Sequence, residues 1–313
     1  MLFKPGECVR VARPGPMSGM PFHTTTARIR EAFTSWGPLS RLRRSPSQTV
    51  SVVVFGQSHA LSLRAAWKRG LYRPDDRRVH CKFVLSGQKK FPSEEIVIRS
   101  PAGDADVLHP GLVRAFAKHH VLAGSMETWL VSIVRGNACN MFGLFEPDPP
   151  FDFVHPGAPE LPVRADAQLL PYDAVRTIFS HYSRRTGSFF RCLPRQNITG
   201  ILHIEAPPPI PDEKQVYRSV ERILLRRVLG RSRDARISAR EFRMKMWKTQ
   251  SDVNRQVCAE NNVIYVTPPE DTLDAEGYLL QKAWFGATHA SAWYGALVLR
   301  KIEAVITKER NRS

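Results

Sequence analysis

The sequence predicts an α/β fold with a central, mostly parallel, five-stranded sheet. Two observations predict it. Short runs of β-branched and apolar residues recur along the chain, and stretches with helical spacing separate them. The runs are also apolar on both faces, as in "TVSVVVFG" (49–56). Strands of that kind are buried on both faces, which is the habit of parallel sheets.

Each element follows from a local signal. Residues 49–56 form the first strand, stopped by Gly56, and "SHALSLRAAWKRG" reads as a helix ending at Gly70. "VHCKFVLSG" (79–87) is the second strand, ended by Gly87, and 94–100 is a short strand in an excursion. Residues 110–120 read as a helix. "ETWLVSIVRGN" (127–137) is a third buried strand running into Gly136 and Asn137. Val175, Ile178, Phe179 and Tyr182 share one face of a helix over 173–185. "NITGILHIEAPPP" (197–209) is the fourth strand, closed by three prolines. Val216, Val220, Ile223, Leu224 and Val228 mark a helix, and Ser238 with Glu241 forms a capping-box pattern for another, through about Glu260. "VIYVTPP" (263–269) is the fifth strand, and 288–306 is the closing helix.

Composition bounds the function. The chain has 313 residues, 42% of them hydrophobic, which is enough for one large core. Residues 1–48 carry eight Lys and Arg against two acids and read as a basic, poorly ordered segment before one domain over 49–313. The whole chain has 46 Lys+Arg against 29 Asp+Glu, a formal charge of +17. Such an excess can draw nucleic acid, anionic lipid or acidic polymers. Residues 214–248 hold 12 Lys and Arg against three acids, but no recognised nucleic-acid motif accompanies them, so a solvated basic face is the preferred reading. The five cysteines are odd in number and form no CxxC pair, which argues against a disulfide framework or a structural zinc and suits a reducing, cytoplasmic compartment. No apolar run reaches 18 residues and no signal-peptide h-region is visible, so no membrane span is expected. His119 and His120 are adjacent and so diverge on a helix, and His155 and His181 have no partner at ligand spacing. No phosphate loop or metal motif appears, and no metal or cofactor is expected.

Three residues stand where chemistry is usually placed in such a fold. Ligands of open parallel sheets bind outside the carboxyl ends of the strands. Ser58 follows the first strand, Asn137 the third, and His289 lies after the last strand, at the mouth of the closing helix. Each alone has a plain structural reading: Ser58 as a helix cap, Asn137 as a turn residue, His289 as a cap or a solvated ring. Together they supply a nucleophile, an oxyanion donor and a general base.

The order Ser58…Asn137…His289 resembles that of the SGNH (GDSL-type) hydrolase superfamily, over about residues 50–306. "FGQSH" is similar to its first block, "RGNACN" to its third and "GATHASAWYG" to its fifth. A serine followed by His, and a Thr-His-Ala run leading into "YG", also resemble a bacterial SGNH-like subgroup. The resemblance implies a flavodoxin-like three-layer sandwich and a serine ester hydrolase acting on a small-molecule or glycan ester. It implies Ser58 as nucleophile, His289 as base, and an oxyanion hole from the N–H groups of Ser58 and Gly87 with the Asn137 amide. Ser58 Oγ and His289 should then stand within about 4 Å of each other. Three positions depart from the family pattern. Gln57 stands for the usual polar residue before the serine, Arg135 for the glycine two before the asparagine, and Gly286 for the orienting Asp three before the histidine. Glu270, Asp271, Asp274 and Glu276, in the loop just before, are candidate substitutes, with Asp274 preferred. The alternative is a catalytically impaired SGNH-like protein that binds a glycan or other polyanion.

Overall fold

A computed structural model of the chain describes residues 49–87, 95–121, 126–220 and 236–312. The reading of 1–48 as a poorly ordered segment, and the part of the expected helix marked by Ile223, Leu224 and Val228, lie outside them. The elements in chain order are β1 (Val50–Gly56), α1 (Ala60–Lys68), β2 (Val79–Leu85), β3 (Val97–Arg99), β4 (Asp106–Leu108), α2 (Pro110–Lys118) and β5 (Glu127–Ile133). Then follow α3 (Ala138–Gly143), β6 (Phe151–Asp152), β7 (Gln168–Leu169), α4 (Tyr172–Arg191), β8 (Gly200–Ile204), α5 (Glu213–Ser219) and α6 (Arg240–Glu260). The chain closes with β9 (Ile264–Val266), β10 (Trp284–Phe285), β11 (His289–Ala290) and α7 (Ala292–Arg310).

Five strands form one sheet in the order β2-β1-β5-β8-β9, all parallel. The apolar strands face two cores. Val50, Val52 and Val54 of β1 join Val131, Leu202 and Val266 beneath α1 and α7. Val53 and Phe55 of the same strand join Leu130 and Ile201 beneath α2, α4 and the end of α6. Alternate side chains therefore serve opposite layers, and the result is a three-layer α/β sandwich. Fully burying one such aliphatic side chain is worth roughly 1.5–3 kcal/mol.

One contact fixes how α1 lies on α7. A Cβ at Gly295 would stand 2.3 Å from the Ser62 carbonyl oxygen, so only glycine lets the helices meet there. The same contact brings together the loops that precede the two helices.

Three departures from the expected elements bear on the site and its surroundings. β5 stops at Ile133, and Asn137 opens the short helix α3 rather than ending a strand. The capping box does not form: Ala239 is the residue before α6, Ser238 Oγ is buried with no hydrogen bond, and the Ser238 carbonyl accepts from Arg243 Nε at 3.0 Å. His289 is not at the mouth of the closing helix. It opens β11, which pairs antiparallel with β10, and Ser291 caps α7 three residues before Tyr294. Residues 144–170, unassigned from sequence, are held by a buried pair in which Lys245 Nζ bonds Asp152 and the Pro162 carbonyl.

Candidate active site

The register of the sheet locates the site. Gly56 lies level with Leu85 of β2 on one side and with Ile133 of β5 on the other. Counting the five strands in chain order, the sheet runs 2-1-3-4-5, so chain direction diverges between β1 and β5. In open sheets that divergence opens a crevice at the carboxyl edge, where ligands bind.

After Gly56 the chain turns through Gln57, Ser58 and His59, closed by Ala60 N–H to the Gln57 carbonyl and Leu61 N–H to the Ser58 carbonyl. Ser58 is exposed, and its hydroxyl makes no hydrogen bond to a described residue, His289 included. His59 turns the other way and is buried. Its ring centroid stands 5.0 Å from that of His289, tilted by 39°. Its Cδ2 would lie 3.4 Å from a Cβ placed on Gly136, so the ring packs onto the glycine before Asn137. Burial, and then repulsion from His289, push His59 down to about 3, and the adjacent Asn137 side chain offsets part of this. Among the described residues, neither ring nitrogen of His59 completes a hydrogen bond of good geometry. His59 is therefore a neutral wedge between the base and the amide that the sequence suggested.

Asn137 follows β5 by four residues. Its Oδ1 accepts from Asn140 Nδ2 at 2.8 Å, and its side chain also stands against the His59 ring. The flanking backbone is clamped by Gln250 of α6. The Gln250 Oε1 accepts from Cys139 N–H at 2.6 Å, and its Nε2 donates to the Gly136 carbonyl at 3.0 Å. Trp247, one turn earlier on α6, donates to the Ala206 carbonyl at 3.0 Å. A narrow groove opens beside these groups, lined by Asn140, Pro207, Pro208, Pro209, Trp247 and Thr288.

His289 is half-buried, and the Thr288 hydroxyl lies 3.3 Å from its Nδ1. Gly286 sits in the β10–β11 turn at φ +62°, in the left-handed region that disfavours side chains, and a Cβ there would meet nothing within 4 Å. Asp274 turns its carboxylate onto its own loop, accepting from the N–H groups of Glu276 and Tyr278. Glu276 pairs with Arg240 instead. Arg135, at φ +54°, lays its guanidinium 4.3 Å above the Tyr182 ring. Gly87 lies two residues past Leu85 on the same sheet edge, exposed and at φ +80°. Gln57 is half-buried in the first turn.

The structure thus brings His59, Asn137 and His289 together, with Ser58 next in chain to His59. His59, Thr288 and Gln250 carry no role in the sequence reading. His59 and Thr288 stood inside quoted motifs. Gln250 had one signal, an amide among the apolar positions Phe242, Met246 and Val253 of one helix.

No family model matches the chain, and no curated protein matches it. Solved structures do. The chain is similar in fold to SGNH-type and GDSL-like hydrolases and acyltransferases. A carbohydrate acetylesterase from Sinorhizobium meliloti is 11% identical, over 83% of this chain and 99% of that one, at a TM-score of 0.39. The periplasmic domain of a lipopolysaccharide acetyltransferase from Salmonella ser. Paratyphi A is 9% identical, over 83% and 84%, at 0.42. A GDSL-like lipase from Bacteroides thetaiotaomicron is 10% identical, over 84% and 88%, at 0.36. Likeness of this size leaves the chemistry to the residues themselves. Among the described residues, no helix is long and apolar enough to cross a membrane.

Proposed function

We propose that residues 49–313 form an SGNH-type serine ester hydrolase, acting in a reducing, cytoplasmic compartment on a small-molecule or glycan ester. The observation that carries this reading is convergence. Segments after β1, after β5 and before α7, far apart in sequence, meet at the sheet's switch point through His59, Asn137 and His289, with Ser58 next in chain to His59. A packing requirement alone does not ask for an asparagine and two histidines there.

Chemistry follows from those groups. Ser58 Oγ attacks the ester carbonyl carbon, and His289 takes the hydroxyl proton. The carbonyl oxygen becomes an oxyanion, held by the N–H groups of Ser58 and Gly87 and by the Asn137 amide. Collapse breaks the acyl–oxygen bond, and His289 returns the proton to the leaving alcohol. A water then repeats the two steps, releasing the acid and restoring Ser58. The uncommitted Ser58 hydroxyl is compatible with this, because catalytic hydrogen bonds tighten when substrate binds. The neutrality of His59 matters here, since a second imidazolium 5.0 Å away would oppose the charge His289 acquires.

A second reading, an impaired SGNH-like protein that binds a glycan or polyanion, is favoured by Gly286 in the place of an orienting carboxylate and by the +17 charge. A fluorophosphonate probe separates the two. Labelling that is lost in Ser58→Ala supports the hydrolase. An unlabelled wild type would leave only the binding protein.

A further inference from the structure

A single buried side chain holds the backbone on both sides of Asn137. Gln250 is 2% exposed, on the face of α6 turned toward the switch point. Its amide spans the segment Gly136–Cys139, accepting at one end and donating at the other. The helix that begins there, α3, has only six residues and no side-chain cap of its own. Without Gln250, the Cys139 N–H and the Gly136 carbonyl would be buried with no partner in this arrangement. Buried backbone groups left unpaired are costly, so the segment would turn to find others. Asn137 lies between the two anchored points and would turn with it.

We propose that Gln250 is a positioning residue that aims the Asn137 amide at the oxyanion. The proposal rests on the hydrolase reading above. Gln250 touches no reacting atom, so its effect passes through Asn137. Removing it lowers the rate of the chemical step and leaves ground-state binding alone. Shifts of this kind at a supporting residue cost far more in turnover than in affinity, because an oxyanion donor acts on charge that develops only in the transition state.

The experiment is a double-mutant cycle with full-length wild type, Asn137→Ala, Gln250→Met and the double variant. Turnover of nitrophenyl acetate is followed well below each unfolding midpoint. The expected result has two parts. Gln250→Met lowers kcat about tenfold or more with KM within about twofold, and adds no further loss once Asn137 is alanine. Equal losses in both backgrounds would overturn the proposal, as would a wild-type kcat. Should Gln250→Met fail to fold, Gln250→Glu serves in its place. It keeps the acceptor for Cys139 N–H, loses the donor to Gly136, and is expected to give a partial loss that again vanishes beside Asn137→Ala. A wild-type rate in Asn137→Ala would instead overturn the oxyanion role of Asn137. No turnover by wild type would overturn the hydrolase reading, and this proposal with it.

Discussion

His59 and His289 face each other with ring centroids 5.0 Å apart, and burial holds His59 neutral. One precedes α1 and the other precedes α7, and the two helices pack on each other without a gap. The relationship links the stability of the fold to the chemistry proposed for its edge.

Acid should destabilise the protein before most carboxylates titrate. Burial lowers His59 to about 3 and His203 to about 4. In the unfolded chain both return to about 6.5, so between these values the unfolded state binds more protons. Stability from these two groups is full above about pH 6.5 and is lost as pH falls toward 4. Each tenfold change in proton affinity is worth ~1.4 kcal/mol, so the combined loss by pH 4 is on the order of several kcal/mol. Thermal unfolding from about pH 7.5 to 4.5 should show a falling midpoint, with a shallower fall in His203→Gln. A flat profile would mean that neither ring is held neutral.

Gly295→Ala should separate α1 from α7. The new Cβ would stand 2.3 Å from the Ser62 carbonyl oxygen, and that atom belongs to the backbone and cannot swing aside. Overpacking of this kind costs roughly 1–3 kcal/mol, occasionally more. The unfolding midpoint should drop, and kcat at a temperature where the variant is folded should drop too, because His59 and His289 move with their helices. A variant with wild-type melting would show that the contact is looser than described.

Thr288→Val tests what orients His289. The Thr288 hydroxyl is 3.3 Å from Nδ1, while Gly286 occupies a left-handed turn position. Removing the hydroxyl should lower kcat about tenfold with KM little changed, as for a base that loses its preferred tautomer. Gly286→Asp carries a strain of about 1–2 kcal/mol from its positive φ. Its turn lies open, with nothing to direct a carboxylate. It should therefore recover little rate. A gain of tenfold or more would show that a carboxylate at 286 reaches the ring despite the turn.

Asp152→Ala should cost about 3–5 kcal/mol, measured by chemical denaturation, because it strands the charge of Lys245 in the core. The Lys245 side chain is fully buried against Asp152, which also accepts from the Phe153 and Arg164 N–H groups. Asp152→Ala with Lys245→Met should recover part of that loss. If the single variant unfolds like wild type, the pair is not dry.

How much of this was legible in the chain varies with the range of the cause. β1 was readable because Val50, Val52, Val53, Val54 and Phe55 put apolar side chains on both faces of one short run, and only a strand between two layers buries both of its faces. Ser58 and Asn137 could be assigned to the carboxyl edge for the same local reason. The hairpin bearing His289 was misread as a helix start, because "THASAWYG" has helical spacing from Ala292 onward and two-residue strands leave almost no periodic signal. Ser238 misled as a cap because the preference for serine there is statistical, and the chain enters α6 one residue later, in register with Arg243.

By itself, then, the sequence determined the layered α/β fold, the five strands of its sheet, and the residue types that could act beyond them. Hydrophobic alternation and turn chemistry are local, so they are written along the chain. Which residues meet was decided only by tertiary structure. His59 becomes a neutral ring only once α7 closes over α1. Gln250 becomes a clamp only once α6 lies across the end of β5 and its helix. Both depend on desolvation and on contacts between distant segments, and no one-dimensional pattern carries those.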